Sequence, residues 1–283
     1  MNGNTGQRAT VLRARFASVF TPYHRRHGRA LAGLVLAIVL LAYGLSSLDV
    51  SAARIFSGIG QLTRIAALML PPDPGSLAAV FVFAHAMAET LAIALLGTLG
   101  AALVAFPLGF LAARNTTANQ LLRFVARRTF DTLRGVDVLV WALIWINVVG
   151  LGPFAGVLAL MTSDIGSLGK LFSEAIEAAD QRPVEGVLSA GGSASAALRF
   201  GIVPQLLPVW LSQVLYLFES NTRSASIIGI VGAGGVGLVL SEQIRTLEFG
   251  QMSFMVALIW LTVSLIDLAC SRLRFAVIGA RAL

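Results

Sequence analysis

Charge is scarce in this chain of 283 residues: 12% are charged and 57% are hydrophobic. A soluble domain carries about 25% charged residues. Half that share cannot coat a soluble domain of this size, which excludes one and indicates an integral membrane protein. A mean hydropathy of +0.81 points the same way. Disordered and coiled-coil chains are excluded by the same composition. Cys270 is the sole cysteine, so there is no disulfide scaffold and the redox compartment is undetermined. The histidines are His24, His27 and His85. His24 and His27 sit in an Arg-rich tail and are expected to be solvated. His85 and Glu89 are one helical turn apart and can share a face. Without further ligands, an HExxH motif or a cysteine cluster they make no metal site; a polar contact near the outer end of a span is expected. No GxxxxGK[ST] sequence occurs. The run at 231–237 holds Gly232, Gly234, Gly235 and Gly237 but has no lysine beside it, and its glycines are expected to let backbones approach closely. The chain is therefore expected to bind no nucleotide, metal or other cofactor of its own, and no catalytic residue is assigned.

What is present is a series of apolar runs. Residues 1–29 are polar and hold Arg8, Arg13, Arg15, Arg25, Arg26 and Arg29. Residues 30–48 follow as a first span, since about 20 apolar residues cross a bilayer. The charged leader is long and no clear small-x-small site follows, so an uncleaved helix is expected rather than a signal peptide. Residues 49–78 are mixed and contain the helix-stopping Pro71 and Pro72. The second span is expected at 77–112, with Pro107 kinking or ending it near the far side. A basic stretch, 114–134, precedes a long apolar run that the Gly150–Leu151–Gly152–Pro153 turn divides into spans at 136–149 and 154–172. Residues 173–200 are polar and amphipathic. A fifth span is expected at 202–220, a Gly- and Ser-rich segment at 221–250, and a sixth span at 251–271. The fold class is thus all-α, a polytopic bundle of about six spans, with a tail at 1–29 and a membrane domain at 30–283.

Net charge is +7. In a soluble protein this would suggest nucleic acid, but in a membrane protein it matters on which side the cations lie, and no nucleic-acid partner is expected. With the N-terminus cytoplasmic, 17 of the 21 Lys and Arg residues fall on the cytoplasmic side. Only Arg54, Arg64, Arg223 and Arg245 fall outside. Cytoplasmic loops are enriched in Lys and Arg, so both termini are expected in the cytoplasm.

The inner segment 185–204 carries a signature. Glu185 is followed by Gly191 and then Pro204, with small residues between: Gly192, Ser193, Ala194, Ser195, Ala196 and Ala197. A short helix of small residues can lie close against another protein, and a glycine ahead of it permits a sharp turn. A plain amphipathic interfacial helix is the competing reading. The spacing resembles the EAA loop of ABC importer permeases. Gly186 and Val187 stand where that family usually has two alanines, and Gly201 where it often has an aliphatic residue. Residues 71–73, 89–94, 150–160, 171–177, 183–186, 218–226 and 231–237 are similar to the phosphonate-type permeases. The likeness covers about residues 70–275 and leaves the N-terminal tail out.

The resemblance implies a type I importer fold like that of methionine permeases, in a bacterial cytoplasmic membrane. It implies a second permease copy (a homodimer), two or more cytosolic ATPase subunits that hold ATP and Mg, and an extracytoplasmic phosphonate-binding protein. It gives Glu185, Gly191, Gly192, Ser193, Ala194 and Pro204 the role of coupling to the ATPase. For the path or gate, the polar run Glu219, Ser220, Asn221, Thr222, Arg223 and Ser224 is the candidate, expected at the outer end of span five. A cation with hydroxyl and amide donors suits a phosphonate, because charge-assisted hydrogen bonds are strong. Glu219 and Arg223 are also four apart, so a self-neutralising helix pair remains open. Asp164 is expected to be structural or a dimer contact, since a membrane carboxylate must be paired or face the bundle interior. Asp137 is expected at the interface beside Arg134, Trp141 and Trp145 in packing, and Asp267 in a pair with Arg272 or Arg274. An ion-coupled transporter would leave the EAA-like loop unexplained, and a membrane enzyme would lack a catalytic cluster.

Overall fold

The computed structural model describes residues 23–48 and 51–279, and every regular element among them is helical. The tail up to Pro22, with Arg8, Arg13 and Arg15, and Arg281 lie outside the described residues; so do the side chains of His24, Arg25, Arg26, His27 and Arg29. Two units divide the chain, Met1–Ile65 and Ala66–Leu283. In the first, α1 (Tyr23–Ser47) contains an 18-residue apolar window, Ala30–Ser47, none of it buried. This is the expected first span, begun earlier. The mixed segment after it folds into α2 (Ala52–Leu68), a helix the sequence reading did not anticipate.

The second unit is organised by α3 (Leu77–Ala112), whose ends match the expected second span. Ser76 caps it, its hydroxyl accepting from the Ala79 N–H at 3.1 Å. Pro107 lies within the helix and does not end it. At 36 residues α3 is about 54 Å long. Its buried stripe is small: Ala94, Gly97, Ala101, Ala105 and Gly109. Along that stripe lies α6 (Pro153–Ala178). A Cβ on Gly97 would stand 2.8 Å from Leu160 Cβ, and one on Gly109 3.0 Å from Phe172 Cβ. Small residues that let helix backbones meet are the usual cement inside membranes. Because Gly97 meets Leu160 and Gly109 meets Phe172, the two helices run in the same direction.

Between them in sequence, residues 114–134 are not a loop. Gln120–Gly135 form α4, capped by Asn119, and Val138–Val149 form α5, capped by Asp137 through the Leu139 N–H at 2.8 Å. The two helices bend by 92°. The expected third span, 136–149, is thus a helix of 12 residues, about 18 Å and too short to cross alone. Trp141 donates to the Leu133 carbonyl and Trp145 to Thr162 Oγ1, as packing residues.

The helix α9 (Val203–Ile228) returns antiparallel to α3 and α6. Trp210 packs among Phe106, Phe110 and Phe172, and Asn221 reaches Thr98. The expected fifth span stopped at 220; the helix continues to Ile228, so much of the supposed polar segment 221–250 is helix. A 3-10 turn (Gly229–Val231) and α10 (Gly235–Thr246) follow. The last helix, α11 (Phe249–Gly279), starts beside the beginning of α3, where the Asp73 N–H donates to the Gly250 carbonyl at 3.2 Å. It exceeds the expected sixth span at both ends. Among the described residues four helices are long and apolar enough to cross a membrane, or five if the bent α4–α5 pair counts as one. The helix α6 is not among them, although its buried residues run from Ala155 to Ile176. It carries Asp164, Lys170, Glu174 and Glu177, of which Asp164, Lys170 and Glu177 are bonded to other helices and Glu174 is exposed.

Candidate functional site: a polar axis through the bundle

Three polar constellations lie along α6. The first is the glycine-rich break between α9 and α10. The Gly152 N–H donates to the Gly232 carbonyl at 3.0 Å, joining the α5–α6 turn to the break. Gly235 sits at φ 72°, a conformation open to glycine. Its N–H donates to Glu89 Oε1 at 3.0 Å, and the next N–H, of Val236, to Thr90 Oγ1 at 2.7 Å. Side chains of α3 thus satisfy the first donors of α10, groups that have no intrahelical partner. A Cβ on Gly234 would stand 2.7 Å from Glu89 Oε1, and one on Gly237 2.9 Å from Gly229 Cα. Glu89 is committed here and not to His85, which is exposed. No metal-binding group of three or more His, Cys, Asp or Glu occurs among the described residues.

The second constellation is mid-bundle. Asn221 Nδ2 donates to Thr98 Oγ1 at 2.8 Å and also to Asp164 Oδ2. All three side chains are buried. Asp164 therefore faces the interior with a donor on it, as a membrane carboxylate must. Two residues along α9, Glu219 takes a different partner. Arg274 Nη2 donates to Glu219 Oε2 at 2.8 Å, while Arg223 stands 3.6 Å from Oε1. Arg274 was expected at the cytoplasmic face, paired with Asp267, and Glu219 at the outer end of span five. The two placements cannot both hold, because two side chains in contact cannot lie at opposite faces. Asp267 is exposed. Of the remaining run, Asn221 and Thr222 face the interior, Ser220 and Ser224 are half-buried, and Arg223 is exposed. The Thr222 hydroxyl donates to the Phe218 carbonyl at 3.0 Å and that of Ser224 to the Ser220 carbonyl at 3.4 Å. Arg274 is the residue that reasoning from sequence missed. It lies 55 residues from Glu219, and no local pattern links them.

The third constellation closes the other end of α6. Glu177 accepts from Arg127 Nη2 at 2.6 Å and from the Arg114 backbone N–H at 2.7 Å. Arg127 Nε also donates to the Ala112 carbonyl at 3.0 Å, so one guanidinium ties together the ends of α3 and α6. Burial pushes the Glu177 carboxyl up, but these two donors outweigh it and hold the group below its ordinary range. Immediately beyond come α7 (Arg182–Ser189), α8 (Ala194–Ala197) and a π-helical turn (Leu198–Ile202). Gly191, between α7 and α8, sits at φ 84°. Gly192 folds back on α7, where a Cβ would stand 2.6 Å from Val187 Cγ1. Ser193 caps α8, accepting from the Ala196 N–H at 3.3 Å. Glu185, Ser193, Ala194 and Pro204 are exposed, together with Leu188 and Phe200.

Comparison with known proteins agrees with this architecture. Residues 105–277 match the family described as binding-protein-dependent transport system inner membrane component. The chain is 36% identical over 256 residues to the putative phosphite transport system permease protein HtxC of Stutzerimonas stutzeri, covering 90% of each. It is 32% identical over 234 residues to the phosphite transport system permease protein PtxC of the same organism, covering 83% of this chain and 84% of that one. The phosphate-import permease protein PhnE of Mycolicibacterium smegmatis is 39% identical over 213 residues, 75% of this chain and 39% of that one. Among solved structures, the inward-facing MetNI methionine ABC transporter superposes with a TM-score of 0.62 at 20% identity, covering 71% of this chain and 99% of that one. That likeness concerns the fold alone. The chain belongs to the family of inner membrane components of binding-protein-dependent transport systems.

Proposed function

We propose that this chain is the permease subunit through which an ATP-driven importer moves a small phosphorus oxyanion, phosphite or a phosphonate, into a bacterial cell. Two copies pair in the cytoplasmic membrane with both termini cytoplasmic, and α6 supplies the sixth crossing. An extracytoplasmic binding protein delivers the cargo. ATPase subunits, which hold the ATP and Mg, dock on α7 and α8. The observation that carries the reading is the corner at Gly191–Ala194: exposed, made of small residues, and set directly beyond the Glu177 clamp. A push there is transmitted to α6 and α3 together. Differential binding of the ATPase to two states of the permease then drives alternating access.

The relatives named for phosphite and phosphate support the cargo class. So does Arg223, whose guanidinium is about half exposed on a helix that crosses the membrane. A cation there must face protein or water rather than lipid. Arg223 and Arg274 flank Glu219, which occupies them while no anion is present. The second copy and the ATPase pair remain the implied partners. The test is proteoliposome uptake with the cognate ATPase and binding protein. ATP-dependent accumulation of phosphite or a phosphonate is expected, with Gly191→Asp abolishing uptake and ATPase association. Uptake driven by an ion gradient without the ATPase overturns the proposal.

A further inference from the structure

The bent pair α4–α5 leaves a cationic cavity with no assigned role. A cavity of about 740 Å³ is lined by Arg114, Arg123, Arg127 and Arg128 together with Leu121 and Phe124. Its carboxylates are largely accounted for: Glu177 is held by Arg127 and Arg114, and Asp131 is shared by Lys170 at 3.1 Å and Arg128 at 3.2 Å. Arg123 makes no ion pair among the described residues. The cavity therefore keeps an excess of positive charge and calls for an anion. Its walls are not those of a site for a free anion. Leu121 is 71% exposed and Phe124 57% exposed, and the Arg128 guanidinium lies over the Phe124 ring at 5.4 Å from its centroid.

The setting says what anion combines with apolar walls. The helix α5 is apolar apart from Asn147 and enters the bilayer, and α4 meets it at 92°. A helix perpendicular to a crossing helix lies along the membrane surface. There an amphipathic helix buries its apolar face at the headgroup–acyl boundary and keeps its arginines among the headgroups. Basic pockets beside spanning helices select anionic headgroups by this arrangement. We infer that the cavity formed by α4 and Arg114 is a binding site for an anionic phospholipid, its phosphate on Arg123 and Arg128 and its acyl chains against Leu121 and Phe124. The bound lipid brings the arginines' missing counter-charge and fixes the surface helix that leads into α5.

The experiment uses the full chain in complex with its ATPase, in nanodiscs of equal parts phosphatidylcholine and phosphatidylglycerol. Native mass spectrometry then counts the lipids kept on release. Preferential retention of phosphatidylglycerol is expected. Arg123→Gln with Arg128→Gln is expected to weaken that retention about thirtyfold, at about 1 kcal/mol for each basic residue near an anionic surface. Equal retention of both lipids, or no loss in the double variant, overturns the inference. Inorganic phosphate is the second arm: displacement of the lipid by millimolar phosphate would make this a free-anion site and overturn it. Phe124→Trp keeps every arginine and guards against misfolding of the double variant. Its added fluorescence must be quenched more by brominated phosphatidylglycerol than by brominated phosphatidylcholine, and equal quenching refutes the site.

Discussion

Replacing Asn221 by Leu is the sharpest test of the mid-bundle cluster, because the branched four-atom shape of the side chain is kept and its amide is lost. Asp164, Asn221 and Thr98 are 5%, 5% and 0% exposed. Asn221 is the only side chain that donates to Asp164 among the described residues. In the Leu variant the carboxyl group faces a lipid-depth interior with no partner, at a cost of about 2.5–3.5 kcal/mol for an ionised group at the centre of a spanning helix. Thr98→Val removes a neutral bond from the same amide and should cost about 0.6 kcal/mol, the average for such bonds in membranes. The two effects differ severalfold, so a modest assay separates them. Unfolding in mixed detergent micelles, followed by tryptophan fluorescence, supplies the stabilities. The double variant Asn221→Leu, Asp164→Leu should recover most of the loss, since a buried polar pair can be replaced by apolar residues more cheaply than it can be broken. A loss below about 1 kcal/mol in Asn221→Leu, or a double variant whose loss is the sum of the two singles, would refute the reasoning.

Two further outcomes follow from the ends of the axis. Gly235→Ala forces a side chain into a left-handed backbone position, at about 1–2 kcal/mol, and drives its Cβ onto Thr90 Oγ1, the acceptor for Val236. The same unfolding assay should show a loss of about 2–4 kcal/mol once overpacking is added, while Gly135→Ala, with nothing within 4 Å of its Cβ, should be neutral; equal behaviour of the two would deny the break its tight packing. At the other end, Glu177 has a folded pKa below its ordinary 4.5, so its contribution is complete above that value and is lost as pH falls through the depressed one. Stability measured from pH 6 downward should therefore drop below about 4.5 in the parent, and Glu177→Gln, less stable at neutral pH, should show a flatter acid limb.

The sequence was most readable where apolar runs are bracketed by strong signals. Leu77–Ala112 was placed at both ends because Pro71 to Gly75 precede it and Arg114 follows. Hydropathy failed where polarity is satisfied inside a helix. Thr222, Ser224 and Ser226 read as the end of a span, yet their hydroxyls donate to carbonyls four residues back, so the helix carries them through without exposing a donor. The run Arg114 to Arg134 read only as a basic polar stretch because its apolar residues are outnumbered, and the helix Gln120–Gly135 within it, bent 92° from α5, was not assigned. The contact of Glu219 with Arg274 joins two distant helices, and no periodicity within either one records it. The corner proposed for coupling was singled out by its spacing, but its cap at Ser193 and the fold of Gly192 onto Val187 required coordinates.

These particulars give α6 a specific mechanical part. It touches the glycine break at Pro153, the mid-bundle cluster at Asp164 and the arginine clamp at Glu177. By helical rise Asp164 is about 17 Å from the first point and about 20 Å from the last. Its buried flank is small or apolar against α3, and its side-chain polar contacts to other helices go to α9, α5, α4 and the α3–α4 junction. Against α3 the helix is held by close backbone packing, and against α9 and α4 by a few polar side chains. Since α7 begins four residues after α6 ends, the proposed coupling corner and the glycine break lie at opposite ends of one helix. Where α9 meets that helix, Asn221 bonds both Asp164 of α6 and Thr98 of α3, whereas Glu219, two residues before it, turns to Arg274 of α11, so the polar face of α9 divides between two neighbours.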